Sequence, residues 1–129
     1  MPLVKISIRK GRSASEKREL LDLVHTSLVD AFKIPEKDRS QRIYEFKDDE
    51  FDIPGGRTKK FTIIEITIFP GRSFEAKKNL YKLIFNQLKN LGYQDNDAVM
   101  VFYEPELSNW SVRDGVPASE MDLGFNLKV

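Results

Sequence analysis

The chain opens MPLVKI, and the proline in second place is the first residue whose type suggests chemistry. A small second residue favours removal of the initiator methionine, and removal here exposes a prolyl secondary amine. A free α-amino group titrates at about 7.7 to 8.0, and partial burial or nearby cations favour its neutral form, so Pro2 can serve as a base near neutrality. A solvated terminus without a role is the competing reading. The second candidate is Arg72, in IFPGRSFEAK. A guanidinium fork beside a helix N-terminus gathers donors for an anion, whereas a hydrated turn arginine is the plainer alternative.

The elements that must position these residues are written twice. GRS stands at 11–13 and again at 71–73. Val4, Ile6 and Ile8 alternate with polar residues, and Ile64, Ile66 and Ile68 stand sixty positions later, so both segments read as strands burying one face. After each GRS the apolar residues take helical spacing: Leu20, Leu23, Val24, Leu28 and Ala31 first, then Leu80, Leu83, Ile84, Leu88 and Leu91. Ser13 and Glu16 have capping-box spacing, while Ser73 suits an N-cap with Glu75 in the first turn. At an offset of fifty-nine, Asp38 matches Asp97 and Tyr44-Glu45 matches Tyr103-Glu104, in or ending the β-rich stretches QRIYEF and AVMVFYE.

The repeated unit is therefore β-α-β. Right-handed parallel crossovers predict an α+β domain with a four-stranded mixed sheet and both helices on one face. Residues 1–129 form one domain, with pseudo-repeats at 2–46 and 62–104, a connecting loop at 47–60, and an irregular tail from 105 with at most one short strand. Gly55-Gly56 would let the loop move. The sheet face away from the helices would carry Lys5, Ser7, Glu65, Thr67 and Phe69, a mixture that reads as an assembly surface.

Composition narrows the chemistry. The 129 residues are 40% hydrophobic, enough for a modest core that often gains stability by assembling. Basic and acidic residues number 21 and 20, and the RTKK cluster sits beside the acidic KDDEFD stretch, so no nucleic acid partner is expected. With no cysteine and one histidine, disulfides, thiolate zinc sites and imidazole-rich metal sites are excluded. The expectation is chemistry without metal or cofactor. No apolar run reaches signal-peptide or membrane-span length, which makes a cytoplasmic protein the default.

MPLVKI, LLDLVH, PEKDRSQ, FPGRSFEAKK and NWSVRDG occur in an order that resembles the tautomerase superfamily, and within it the malonate semialdehyde decarboxylase group, over nearly the whole chain. The resemblance implies the same duplicated fold assembled as a homotrimer, with Pro2 as the catalytic residue and Arg72 binding the substrate carboxylate. It sets Asp38 near the proline, to orient the amine, activate water or stabilise an imine-like cation. It gives His25 on the first helix a substrate role and makes Trp110 a pocket wall. Each has a bland alternative: a turn aspartate like Asp97, a structural histidine, a core tryptophan. Arg12 shares the turn of Arg72 but not, by the resemblance, its role.

Two departures bear on the reaction. Pro70 stands where the decarboxylase pattern has a second arginine, and Val112 where it has a phenylalanine. The first reading is keto-enol tautomerisation of small 2-oxo acids with neutral Pro2 as base. The alternative is decarboxylation of malonate semialdehyde, with accessory hydration of activated alkynoates and Pro2 protonated or bound as an iminium. A catalytically dead trimeric binding or assembly protein is the reading from another class.

Overall fold

A glycine makes each strand-to-helix turn. Gly11 and Gly71 sit at φ 127° and 126°, a region closed to residues with a Cβ, which is why both GRS turns begin with this residue. The computed structural model describes residues 2–124. It contains β1 (Leu3–Arg9), α1 (Ala14–Phe32), β2 (Ser40–Phe46), β3 (Thr62–Thr67), α2 (Phe74–Asn90) and β4 (Ala98–Tyr103), with 3-10 turns at Asp48–Glu50, Leu107–Asn109 and Ala118–Glu120.

Both helices start as the sequence predicts. Ser13 accepts from the Glu16 N–H while the Glu16 carboxylate accepts from the Ser13 N–H, a complete capping box, and Ser73 accepts from the Ala76 N–H. The first helix ends on Lys33 in left-handed backbone, φ 55°. A side chain there is strained, since left-handed backbone favours glycine.

The strands run β2-β1-β3-β4. Each outer strand is parallel to its inner neighbour, as a crossover helix requires, and β1 meets β3 antiparallel with Lys5 opposite Glu65. That central pair joins positions sixty residues apart, so the two halves are related by an approximate twofold axis through it. Other contacts repeat under the same relation: Lys17 pairs with Glu45, and Lys77 with Glu104.

Val4, Ile6, Ile8, Ile64, Ile66 and Ile68 face the helices, each 1% exposed or less, and pack on Leu20, Val24, Leu28, Leu80, Ile84 and Leu88. Burying one such side chain contributes about 1.5–3 kcal/mol. On the opposite face Lys5 pairs with Glu65 at 3.7 Å and lies over the Tyr44 ring, and the Tyr103 hydroxyl donates to Glu65 at 2.9 Å. Tyr44 and Tyr103 stay 39% and 48% exposed.

One expectation for that face is corrected. Phe69 is 1% exposed because the tail folds back over it: Trp110 stacks edge-on at 4.7 Å, and Ala118, Leu3, Leu107, Val112 and Leu123 complete the cluster. An aromatic side chain lowers its free energy by leaving water, and the tail is near enough to cover it. Phe69 is thus not free for assembly, and Ser7 is also buried. The tail's one expected strand is an isolated bridge between Arg113 and Val116.

The antiparallel centre gives the sheet two chemically different ends. The start of β1 and the end of β3 share one; the end of β1 and the start of β3 share the other, together with the 47–60 loop. That loop is tied down at its own end: the Arg9 Nε donates to Phe51 O, the Arg57 Nε to Asn96 O, and Thr58 is bonded to Asp97.

Candidate active site

Pro2 is buried and immediately precedes β1. Leu3 is opposite Ser40 on one side and Thr67 on the other, so the register carried one step back sets Pro2 beside Arg39 and Ile68. Two segments therefore flank it: the turn from Pro35 to Arg39, and the chain leaving β3 toward Arg72.

The turn is shaped by backbone hydrogen bonds, with the Asp38 N–H donating to Pro35 O at 2.9 Å and the Arg39 N–H to Lys37 O at 3.0 Å. His25 helps hold it. Its ring is 4% exposed, and Nε2–H donates to Glu36 O at 2.8 Å, which fixes the proton on that nitrogen. The histidine predicted as a substrate ligand thus supports the segment that carries Asp38. It lines a separate cavity, with Thr26, Val29, Asp30, Lys33 and Glu36.

Arg72 lies just ahead of α2 and is 6% exposed. Its Nη1 donates to Phe69 O at 3.3 Å, and its guanidinium lies 5.4 Å from the centre of the Phe32 ring. Burial lowers its pKa, while the negative charges of Asp38 and then Glu104 oppose that shift. A guanidinium keeps its proton under such conditions, so a full positive charge is held at this buried end with Asp38 near enough to stabilise it.

A cavity of about 390 Å³ opens here, lined by Pro35, Lys37, Asp38, Phe69, Val112, Arg113 and Leu123. Of the predicted residues, Asp38 faces this cavity. Trp110 stands behind Phe69 and donates from Nε1 to Pro105 O at 3.1 Å, so it braces the wall and is not itself a lining residue. Lys37, Phe69, Arg113 and Leu123 were not singled out from sequence as site residues. Lys37 and Arg113 carried a signal nonetheless, since they adjoin Asp38 in PEKDRSQ and follow Trp110 in NWSVRDG.

The opposite end of the sheet shows the same positions closed. Arg12 donates to Tyr93 Oη at 2.7 Å, Lys60 O at 2.6 Å and Thr62 Oγ1 at 3.1 Å. Asp97 accepts from the Thr58 N–H, the Thr58 hydroxyl and the Gln94 N–H. Thr62 occupies the place that Pro2 has in the first half. Among the described residues no cluster of three or more carboxylate, imidazole or thiol groups could hold a metal ion, and no helix is long and apolar enough to cross a membrane.

Two tautomerase enzyme family models match the chain, one over residues 2–60 and one over residues 38–113. The chain belongs to the tautomerase family. Among its relatives are two proteins of Bacillus subtilis strain 168. The probable tautomerase YrdN is 29% identical over 117 residues, covering 86% of this chain and 90% of the relative; the probable tautomerase YusQ is 29% identical over 121 residues, covering 89% and 95%. Its fold superposes on a solved malonate semialdehyde decarboxylase with a TM-score of 0.80 at 28% identity, covering 91% of this chain and 94% of the other. A symmetric trimer of fused 4-OT superposes at 0.79 and 19% identity, covering 91% and 96%, a likeness of fold.

Proposed function

We propose that this protein is a cofactor-independent tautomerase acting on small 2-oxo acids, with Pro2 as the base once Met1 has been removed and Arg72 as the carboxylate ligand. The observation that carries this reading is the convergence on one end of the sheet of the buried Pro2, the buried cation of Arg72, and Asp38 at a cavity. The neutral amine takes the enol hydroxyl proton as the carbonyl forms; the C=C electron pair then takes a proton from the prolinium at C3, and the amine is regenerated. A positioned base of this kind contributes about 10²–10⁴ in rate. Asp38 orients the amine, Trp110 keeps Phe69 in place, and His25 acts on Asp38 through the turn.

Decarboxylation of malonate semialdehyde is the second reading, favoured by the 28% identity to a decarboxylase that spans nearly the whole chain. Pro70, in place of a second arginine, weakens it. Assembly as a homotrimer through the exposed face around Tyr44 and Tyr103 is part of the proposal, supported by the fold it shares with a trimeric protein.

The test follows ketonisation of the phenylpyruvate enol by absorbance with protein shown by mass to lack Met1. Turnover that falls at least a hundredfold in Pro2→Ala, with KM raised in Arg72→Ala, is the expected result. Equal and negligible rates in wild type and Pro2→Ala overturn it, and malonate semialdehyde is then the substrate to try.

A further inference from the structure

Asp38 and Asp97 stand in the same turn of the two halves. The Asp38 N–H donates to Pro35 O at 2.9 Å, and the Asp97 N–H to Gln94 O at 3.1 Å. Around the two carboxylates the turns differ. Asp97 reaches back to accept from the Gln94 N–H, so it fastens its own turn, and Thr58 supplies two further donors. Residue 35 is proline and has no N–H to offer, so Asp38 cannot fasten its turn in this way. A turn whose carboxylate lines a cavity has to be held from outside.

The holding groups come from one turn of α1. His25 accepts no part in the cavity of Asp38 but holds Glu36 O, and Asp22, one turn earlier, accepts from Arg39 Nη2. The Arg39 Nε donates to Gln41 Oε1 at 2.9 Å, and Gln41 Nε2 donates to Leu21 O at 2.9 Å. The segment is thus tied to α1 on both sides of Asp38, at Glu36 and at Arg39. The hydrogen bond from Arg39 lowers the pKa of Asp22, which keeps that carboxylate charged. In the second half Lys82, Phe85 and Ala98 stand at the places of Asp22, His25 and Arg39, a set that cannot form the same ties. The ties therefore accompany the copy of the turn that faces the cavity and are not a requirement of the fold.

We infer that Asp22 and Arg39 are positioning residues, which with His25 fix the turn so that the Asp38 carboxylate is held toward the Pro2 amine. The inference rests on the proposed function, in which Asp38 orients that amine, and adds the pair that orients Asp38. Arg39 suits the task because its guanidinium reaches two acceptors in fixed directions while its backbone is the strand neighbour of Pro2. With side chains 50% and 32% exposed, Asp22 and Arg39 contribute little to stability. Their effect is on geometry: a carboxylate beside an amine favours its protonated form, and one that swings away does so less.

The test reads the titration of Pro2 by NMR, in protein isotope-labelled at proline and shown by mass to lack Met1, with kcat and KM for the phenylpyruvate enol measured beside it. Asp38→Asn should lower the Pro2 midpoint by about one pH unit. Asp22→Asn and Arg39→Gln should each lower it in part and reduce kcat about three- to tenfold, with KM little changed because Arg72 still binds the carboxylate. Arg39→Lys should fall between Arg39→Gln and wild type. Arg18→Gln, which removes the cation 3.7 Å from Asp22 on the same helix, should leave the titration and the rate unchanged. Direct charge effects have a different signature: loss of the Arg39 cation would raise the midpoint, while loss of the Asp22 carboxylate would lower it. An Arg39→Gln midpoint that rises or stays, an Asp22→Asn midpoint that stays, or an Asp38→Asn midpoint equal to wild type overturns the inference. The titration needs no turnover, so it is judged separately from the Pro2→Ala comparison that decides the proton-transfer reading.

Discussion

Arg12 donates to the Tyr93 hydroxyl at 2.7 Å, with its guanidinium also 5.4 Å from the centre of that ring. Sixty positions on, Arg72 has the equivalent turn and a different setting, with Phe32 rather than tyrosine beside it. One copy of the turn is closed by protein groups, and the other lies at the end of the sheet that carries the cavity lined by Asp38 and Phe69.

Removing the Arg12 side chain should therefore act on stability. Arg12→Ala loses bonds to Thr62, Tyr93 and Lys60 at a partly buried site, and should cost about 2 kcal/mol. Tyr93→Phe, which deletes one acceptor, should cost about 1 kcal/mol. Urea unfolding monitored by circular dichroism measures both. An Arg12→Ala midpoint equal to wild type would contradict the assignment.

Asp97 supplies a pH dependence with a defined sign. Burial opposes its ionisation, but hydrogen bonds from the Thr58 side chain, the Gln94 N–H and the Thr58 N–H outweigh this and lower its pKa. A carboxylate whose pKa is depressed on folding contributes stability above its unfolded value of about 3.9, and that contribution is lost as pH falls through the folded value. Stability should therefore drop below about pH 4, and Asp97→Asn should make the drop shallower while lowering stability at pH 7. Thermal melts of both proteins across pH 2 to 7, a span set by the reference carboxylate range, give the comparison.

Lys33 ends α1 in left-handed backbone with an exposed side chain. Lys33→Gly should relieve that strain and stabilise the protein by about 0.5–1 kcal/mol, after allowance for the greater freedom of glycine in the unfolded chain. A lower melting temperature in this variant would show that the Lys33–Asp30 contact matters more than the backbone.

Trp110 holds the tail to the sheet. Trp110→Ala should cost about 3 kcal/mol, the low end for a large aromatic because the cluster is small. Limited proteolysis should then cut first between 105 and 124, and the KM of any substrate that uses the cavity should rise as Phe69 loses its support. Faster cleavage in the 47–60 loop instead would place the weak point elsewhere.

The parts of this architecture that were legible in sequence are those set by short-range periodicity. Alternation at Val4, Ile6 and Ile8 and helical spacing from Leu20 to Ala31 depend on neighbours within a turn or a pleat, and the caps at Ser13 and Ser73 on residues three positions apart. Phe69 was misplaced because alternation carries it to the open face, while the ring that covers it comes from Trp110, forty-one positions away with no pattern linking the two. His25 was hard to place for a related reason: its partner is the carbonyl of Glu36, and a backbone acceptor has no sequence signature. At the site, Pro2, Asp38 and Arg72 were singled out by type and resemblance, but Lys37 and Arg113 meet only through the folding of the tail.

The two ends of the sheet also divide the ways in which variation reaches the organism. A change at the Arg12–Tyr93–Asp97 end acts through the fraction of chains that stay folded, hence through abundance in the cell, and a stabilising change elsewhere can offset it. A change at the Pro2–Arg72 end would act on the work done per molecule, which added stability cannot restore. Each end draws residues from both halves of the chain, because β1 and β3 run antiparallel, so the duplicated architecture can hold a reserve of robustness at one end while residues at the other change and the molecule stays folded.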